Sequence, residues 1–197
     1  MQLHKRAVVE KATEILDNYG LADLTMRRLA RELEVTAGAL YWHFPNKQAL
    51  LGAVADEVLA SVGASVPAGR WQDRVTGCCG GLRDALLSHT DGAELVSASF
   101  AAGQSAAVVT VLGWLADAAV DAGVQPGQAD LAARTIVHYV LGFTADEQSR
   151  LQWDAAGALP AEQSVIDEHA DPAAAFGFGL GLLIDGLSVR GGVRVTS

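Results

Sequence analysis

Cysteine is nearly absent. Only two occur in 197 residues, side by side at Cys78 and Cys79. Neighbouring thiols rarely pair without straining the peptide between them. A disulfide framework is therefore excluded, and a reducing compartment is implied. Aromatic residues are few, and β-branched alternation is scarce, so an all-α fold is expected rather than a sandwich or barrel. The longest apolar run, Phe176 to Ile184, is interrupted by Gly177, Gly179 and Gly181 and stopped by Asp185. That run is too short to span a bilayer, so no membrane partner is expected. The opening Met1-Gln-Leu-His-Lys-Arg leads straight into an amphipathic pattern with no visible signal peptide, so a cytoplasmic location is expected. Enzyme signatures are missing too: metal-ligand spacing, a nucleophile elbow, a phosphate loop. Gly177-x-Gly179-x-Gly181 follows no strand, so it is no dinucleotide fingerprint. His89, Asp91 and His169 form no recognisable constellation. The expectation is no catalysis, no cofactor and no metal.

Half of the residues are hydrophobic, which supports a globular core. The net charge of −9 at first argues against nucleic acid. Its distribution reverses that argument. Residues 1–55 hold seven Lys/Arg against six Asp/Glu, whereas 56–197 hold seven against seventeen. An acidic body repels DNA, so only an N-terminal face carrying Lys5, Arg6, Lys11, Arg27, Arg28, Arg31 and Lys47 can approach it.

Periodicity places helix one over Lys5–Tyr19, with Val8, Ala12, Ile15, Leu16 and Tyr19 inward. Gly20 ends it as a left-handed residue. Thr25 caps helix two, whose inner face is Met26, Leu29, Ala30 and Leu33. Thr36 caps helix three, which Pro45 stops after Phe44. Asn46 caps helix four, expected to run to residue 63. Gly63–Gly69, with Pro67 inside, forms a break. Longer helices are expected over about Arg70–Ser88, Ala93–Phe100, Ala102–Ala122, Gln128–Arg150 and Pro172–Arg190, with 154–168 as a loop holding a short helix. The division predicted is a DNA-binding domain over 1–47, helix four (46–63) as linker, and a ligand-binding and dimerising bundle over 64–197.

Two short helices joined by a tight turn, with a longer helix following at once, make a helix-turn-helix reader. In that motif the second of the pair enters the major groove. The surface expected there is Thr36, Ala37, Gly38, Ala39, Tyr41, Trp42 and His43. Ala37, Gly38 and Ala39 allow close approach and contact with thymine methyls, but not bidentate base contacts. Arg27 or Arg28 is the candidate guanine contact. Tyr41, His43 and Lys47, with Thr25 and the amides opening helix four, suit phosphates. Leu40 and Phe44 share a face and take the core, so Trp42 and His43 fall on the other side. Arg31 reads as a solvated or ion-paired charge.

The segments Leu24-Thr-Met-Arg-Arg-Leu-Ala-Arg-Glu-Leu-Glu-Val and Ala39-Leu-Tyr-Trp-His-Phe-Pro-Asn-Lys-Gln-Ala-Leu-Leu resemble the tetracycline-repressor (TetR) family of bacterial transcription regulators. More weakly, so do Asp91-Gly-Ala, His138-Tyr-Val-Leu-Gly-Phe with Asp146, and Ala175-Phe-Gly-Phe-Gly-Leu. The resemblance implies a homodimer on a palindromic operator, a helix-four linker, and an effector pocket inside the body. Candidate pocket residues are Phe100, Gln104, Trp114, His138, Tyr139 and Phe143, whose character suits a small, mostly hydrophobic molecule. Tetracycline repressors bind a magnesium–drug chelate through histidines whose matching positions here are Gly63 and Val96. Neither side chain can ligate metal.

Two later helices are apolar around more than one face: Leu131, Ile136, Val137, Val140, Leu141 and Phe143 on one, Phe176, Phe178, Leu180, Leu182, Leu183, Ile184 and Leu187 on the other. A two-fold dimer covers the second face of each. The function expected is a repressor released by its ligand. A redox sensor working through Cys78-Cys79 and a ligand-independent regulator are the alternatives.

Overall fold

The computed structural model describes residues 3–158 and 171–192. Their elements are α1 (Lys5–Tyr19), α2 (Met26–Glu32), α3 (Ala37–Tyr41), α4 (Lys47–Val58), a 3-10 turn (Val62–Ser65), α5 (Trp71–Leu87), α6 (Gly92–Ala102), α7 (Ala106–Asp121), α8 (Pro126–Ala155) and α9 (Pro172–Gly192). No strand occurs among the described residues. Apart from the first five residues of the loop expected over 154–168, that segment lies outside them.

Two compact units result. One joins Met1–Ser61 to Asp84–Val109; the other joins Val62–Arg83 to Thr110–Ser197.

In the first unit, α1 buries Val8, Val9, Ala12, Ile15 and Leu16. Tyr19, expected inside, is 56% exposed. The reason is Arg28, whose guanidinium carbon lies 3.7 Å from the Tyr19 ring centre. Gly20 has φ 81° and ψ 173°, so its φ is positive as expected, but its ψ is extended rather than left-handed helical. That backbone region is essentially reserved for glycine. The α5–α6 turn grips this end of α1. The Leu21 amide donates to Asp91 Oδ2 at 2.9 Å, the Thr90 hydroxyl to the Asp17 carbonyl at 2.8 Å, and His89 Nδ1 lies 2.9 Å from Asp17 Oδ1.

Thr25 caps α2 through the Arg28 amide, and Thr36 caps α3 through the Ala39 amide. Between them, the amides of Glu34 and Val35 donate to the carbonyls of Arg31 and Ala30, a Schellman closure with Glu34 left-handed at φ 55°. Leu40 and Phe44 enter the core. Asn46 caps α4 through the Ala49 amide. Helix four stops at Val58, short of the expected residue 63, and gives way to the 3-10 turn.

In the second unit, α8 is longer than expected at both ends. Pro126, read from sequence as a turn residue, is its first residue, where a missing N–H costs nothing. Tyr139 joins α8 to α9: its hydroxyl donates to the Phe176 carbonyl at 2.7 Å, and its ring stacks on Phe176 at 5.6 Å. Phe143 meets Phe176 edge-on at 5.4 Å. Gly179 is required here, because a Cβ would run into the Tyr139 ring; at Gly177 and Gly181 one would meet open space. The Arg83 guanidinium forks onto Glu147 at 2.9 and 2.5 Å, and both side chains are largely buried. A buried charge on either needs the other.

Helix α9 is longer than the apolar run that suggested it. By length and composition it is long and apolar enough to cross a membrane, and 17% of that window is buried within one chain. Phe178 and Leu182 are 73% and 59% exposed. A groove of about 340 Å³ runs along α8 and α9 between Leu131, Ile136, Leu182 and Leu187, among others.

Candidate nucleic-acid interface

The caps of α2 and α3 fix what the reader presents. Thr25 and Thr36 spend their hydroxyls as acceptors for Arg28 and Ala39 amides, yet both residues remain exposed. Arg27 is exposed at the start of α2, with no ion pair among the described residues. Arg28 is different. It is held between Asp23 Oδ1 at 2.5 Å, Glu32 Oε1 at 3.9 Å and the Tyr19 ring. Of the two arginines that sequence could not separate, Arg27 is the accessible one. Arg31 is exposed and lies 3.6 Å from Glu32, the ion-paired surface charge expected.

Along α3, Ala37 and Ala39 are half-buried and Gly38 is exposed. A Cβ on Gly38 would approach only the Thr36 hydroxyl, at 3.8 Å. Nothing in the chain's own packing calls for glycine there. Trp42 is 92% exposed and Tyr41 half exposed; His43 is half-buried. Exposure to water of an indole face that large is unfavourable without a partner. Lys47 opens α4, whose first amides point to the same end. Arg27, Gly38, Tyr41 and Trp42 are thus exposed, and Lys47 is half-buried at the start of α4; together they carry apolar, aromatic and cationic character.

The body candidates are placed as follows. Phe100 is half-buried near the end of α6, and Gln104 is exposed in the α6–α7 turn. Trp114 is half-buried on α7, and its indole closes over Gly63, where a Cβ would lie 3.0 Å from the ring. Val96 is buried. His138 is exposed, Tyr139 is committed to α9, and Phe143 lines an open cavity of about 330 Å³ with Asp146, Glu147, Arg150, Asp171, Pro172 and Ala175. Sequence reading passed over Ser99 and Thr144. Both hydroxyls are buried with no hydrogen-bond partner among the described residues. A lone Ser or Thr within a helix carries no signal that would mark it beforehand.

Cys78 and Cys79 are buried. Burial pushes the Cys78 thiol up to about 12 from an ordinary 9.0, and Cys79 well above it by burial and then by the neighbouring Cys78. The thiolate is the reactive form, so neither is poised for redox chemistry.

A profile of bacterial regulatory proteins of the tetR family matches residues 8–54, and one of the tetracyclin repressor-like C-terminal domain matches 65–190. The crystal structure of Mycobacterium smegmatis BioQ is 58% identical, covers 96% of this chain and 100% of that one, and superposes with a TM-score of 0.89. BioQ with its natural double-stranded DNA operator is 55% identical, with coverage of 95% and 99% and a TM-score of 0.83. TetR-Q116A from Acinetobacter baumannii AYE in complex with minocycline is 34% identical, with coverage of 95% and 98% and a TM-score of 0.71.

Proposed function

We propose a division of labour for this chain, which belongs to the TetR family of bacterial regulatory proteins and is a ligand-responsive, DNA-binding transcription regulator that works as a dimer. Residues 1–47 read DNA, helix four and the turn after it (46–63) transmit, and 64–197 bind effector and pair with a second copy. The protein acts in the bacterial cytoplasm, without catalysis, as a repressor on a palindromic operator.

The observation that carries the DNA reading is the exposure of Arg27, Gly38 and Trp42, with Lys47 half-buried at the start of α4. Arg27 reaches a base edge, as a bidentate donor to guanine. Thr36, Ala37, Gly38 and Ala39 lie against the groove floor. Thr25, Tyr41, His43 and Lys47 hold phosphates, with Trp42 packed on the backbone. Arg28 supports Arg27 by fixing the end of α1 against α2.

The effector is a small, mostly apolar molecule other than a metal chelate. Supporting this, Trp114 occupies the space that a side chain at residue 63 would need, and Val96 offers no ligand atom. In the second unit Trp114, His138 and Phe143 remain candidate effector contacts, with Thr144 as a candidate polar contact. A buried hydroxyl without a partner costs about 1–3 kcal/mol, which a bound molecule recovers. Effector and DNA oppose each other through the separation of the two recognition helices, which half-sites fix at about 34–36 Å or a multiple. Coupling of about 1–3 kcal/mol lowers operator affinity about five- to 150-fold. Redox control is disfavoured by the raised cysteine thiols.

The test is fluorescence anisotropy with DNA from beside the protein's own gene, comparing wild type with Arg27→Ala and Trp42→Ala. Both variants lose at least about tenfold in affinity at unchanged melting temperature. Wild-type affinity in both would remove this face from the DNA reading.

A further inference from the structure

Helix α4 is fastened to the α6–α7 turn by a single face. Gly52 and Asp56 stand one helical turn apart on α4, and each meets that turn differently. At Gly52 the backbones touch: a Cβ would run into the Gln104 carbonyl, which leaves room for no residue but glycine. At Asp56 the contact is polar. Its Oδ1 accepts from the Ser105 hydroxyl at 2.7 Å and from the Ala107 amide at 2.9 Å. The Ser105 oxygen in turn accepts from the Val108 amide at 3.1 Å. Two of the amides that open α7 are therefore satisfied by a cap shared between α7's own serine and a carboxylate from α4. The turn itself is stiff: Gly103 is left-handed at φ 63°, and the amides of Gly103 and Gln104 close back on the carbonyls of Phe100 and Ser99.

We infer that Asp56, seated by Gly52, is a positioning residue that registers helix four on the α6–α7 turn and so sets the separation of the two DNA-reading heads in the dimer. This rests on the proposed reading of helix four as the transmitting element. The reasoning is geometric. A carboxylate aimed along a helix axis at its N-terminus is directional and is attracted by the helix dipole. It opposes sliding of α4 along α7, whereas a contact of small apolar side chains alone would permit it. Asp56 and Gly52 lie outside the exposed DNA face, and neither contributes to the effector wall. Because α4 begins at Lys47, within the reader, a change of register at Asp56 is carried to the recognition helix by a continuous helix of twelve residues.

The experiment uses the full-length dimer carrying a spin label at Asn18→Cys, an exposed site on α1; Cys78 and Cys79 are buried and escape labelling. Pulsed electron resonance reads the distance between the two labels. It is recorded for wild type, Asp56→Ala, Asp56→Asn and Gly52→Ala, with circular dichroism confirming that each is folded. Asp56→Asn keeps an Oδ1 acceptor, and its distance distribution stays close to wild type. Asp56→Ala and Gly52→Ala broaden and shift the distribution, and both lower affinity for the DNA beside the gene by about tenfold, within the range of allosteric coupling. Should Asp56→Ala destroy the fold, Gly52→Ala against Asp56→Asn still gives the contrast. Superimposable distributions in wild type, Asp56→Ala and Gly52→Ala overturn the inference. So does a shifted distribution with undiminished operator affinity. A wild-type protein that binds no operator counts against the DNA reading instead, while the label distances still decide whether Asp56 sets head separation.

Discussion

The Arg28 guanidinium lies on the face of Tyr19, 3.7 Å from the ring centre, with Asp23 2.5 Å away on its edge. Stacking of this kind needs a flat, delocalised cation, which lysine does not supply. Its neighbour Arg27 has no such role, so the two arginines separate cleanly. Arg28→Lys lowers stability by about 1 kcal/mol, within the range for a cation on an aromatic face. It affects DNA binding only through that loss. Arg27→Ala leaves thermal unfolding unchanged and weakens operator binding. Calorimetry and anisotropy on the same two variants check the pair.

Glu34 holds a left-handed backbone at φ 55° in the turn between α2 and α3. For a residue with a Cβ that conformation costs about 1–2 kcal/mol. Glu34→Gly removes the strain at some expense in chain entropy. A net gain of about 0.5–1 kcal/mol is expected, read as a rise in melting temperature of a few degrees. A fall would mean that the Glu34 side chain makes a contact of its own.

Gly38 gives the opposite separation of stability from function. Alanine fits, since the added carbon meets only the Thr36 hydroxyl at 3.8 Å. Gly38→Ala therefore stabilises the free protein by up to about 1 kcal/mol through helix propensity. The same methyl intrudes between α3 and DNA and reduces operator affinity. Chemical denaturation and anisotropy together read both effects.

The two cysteines predict a pH dependence. A thiol whose folded value is raised binds its proton more tightly in the folded state. The stability this contributes is complete below the ordinary value of 9.0 and is lost as pH climbs toward the folded value of about 12 for Cys78. Stability of wild type therefore declines over that window more steeply than in Cys78→Ala/Cys79→Ala. In the native protein at pH 8, a disulfide reagent titrates neither thiol; in denaturant it titrates both. Rapid reaction of the native protein would return redox control to consideration.

Much of the reader was legible in the chain because its signals are local. Caps at Thr25, Thr36 and Asn46 announce three helices, although α3 ends at Tyr41, before the Pro45 expected to stop it after Phe44. The four-residue spacing of Leu40 and Phe44 assigns the core side and leaves Trp42 outside. What was not legible depends on partners distant in sequence. Tyr19 fits α1's apolar stripe, and only the arrival of Arg28 explains its exposure. Helix four's early end follows from no breaker in the sequence before Gly63. In the body, Tyr139 reads equally well as a pocket wall or as a tie to α9; its hydrogen bond to the Phe176 carbonyl decides for the tie. Ser99 and Thr144 become notable only once burial shows that their hydroxyls lack partners. The same holds for Gly63, whose role appears only when Trp114 is seen to close over it.

The central claim is that an acidic protein reads DNA through one small cationic and aromatic face. It is tested most directly by anisotropy titrations on the palindrome beside the gene and on a scrambled duplex of equal length, across salt concentrations. The account predicts tight binding to the palindrome alone, with log affinity falling steeply and linearly against log salt as phosphate contacts release counterions. Equal, weak binding to both duplexes would contradict it.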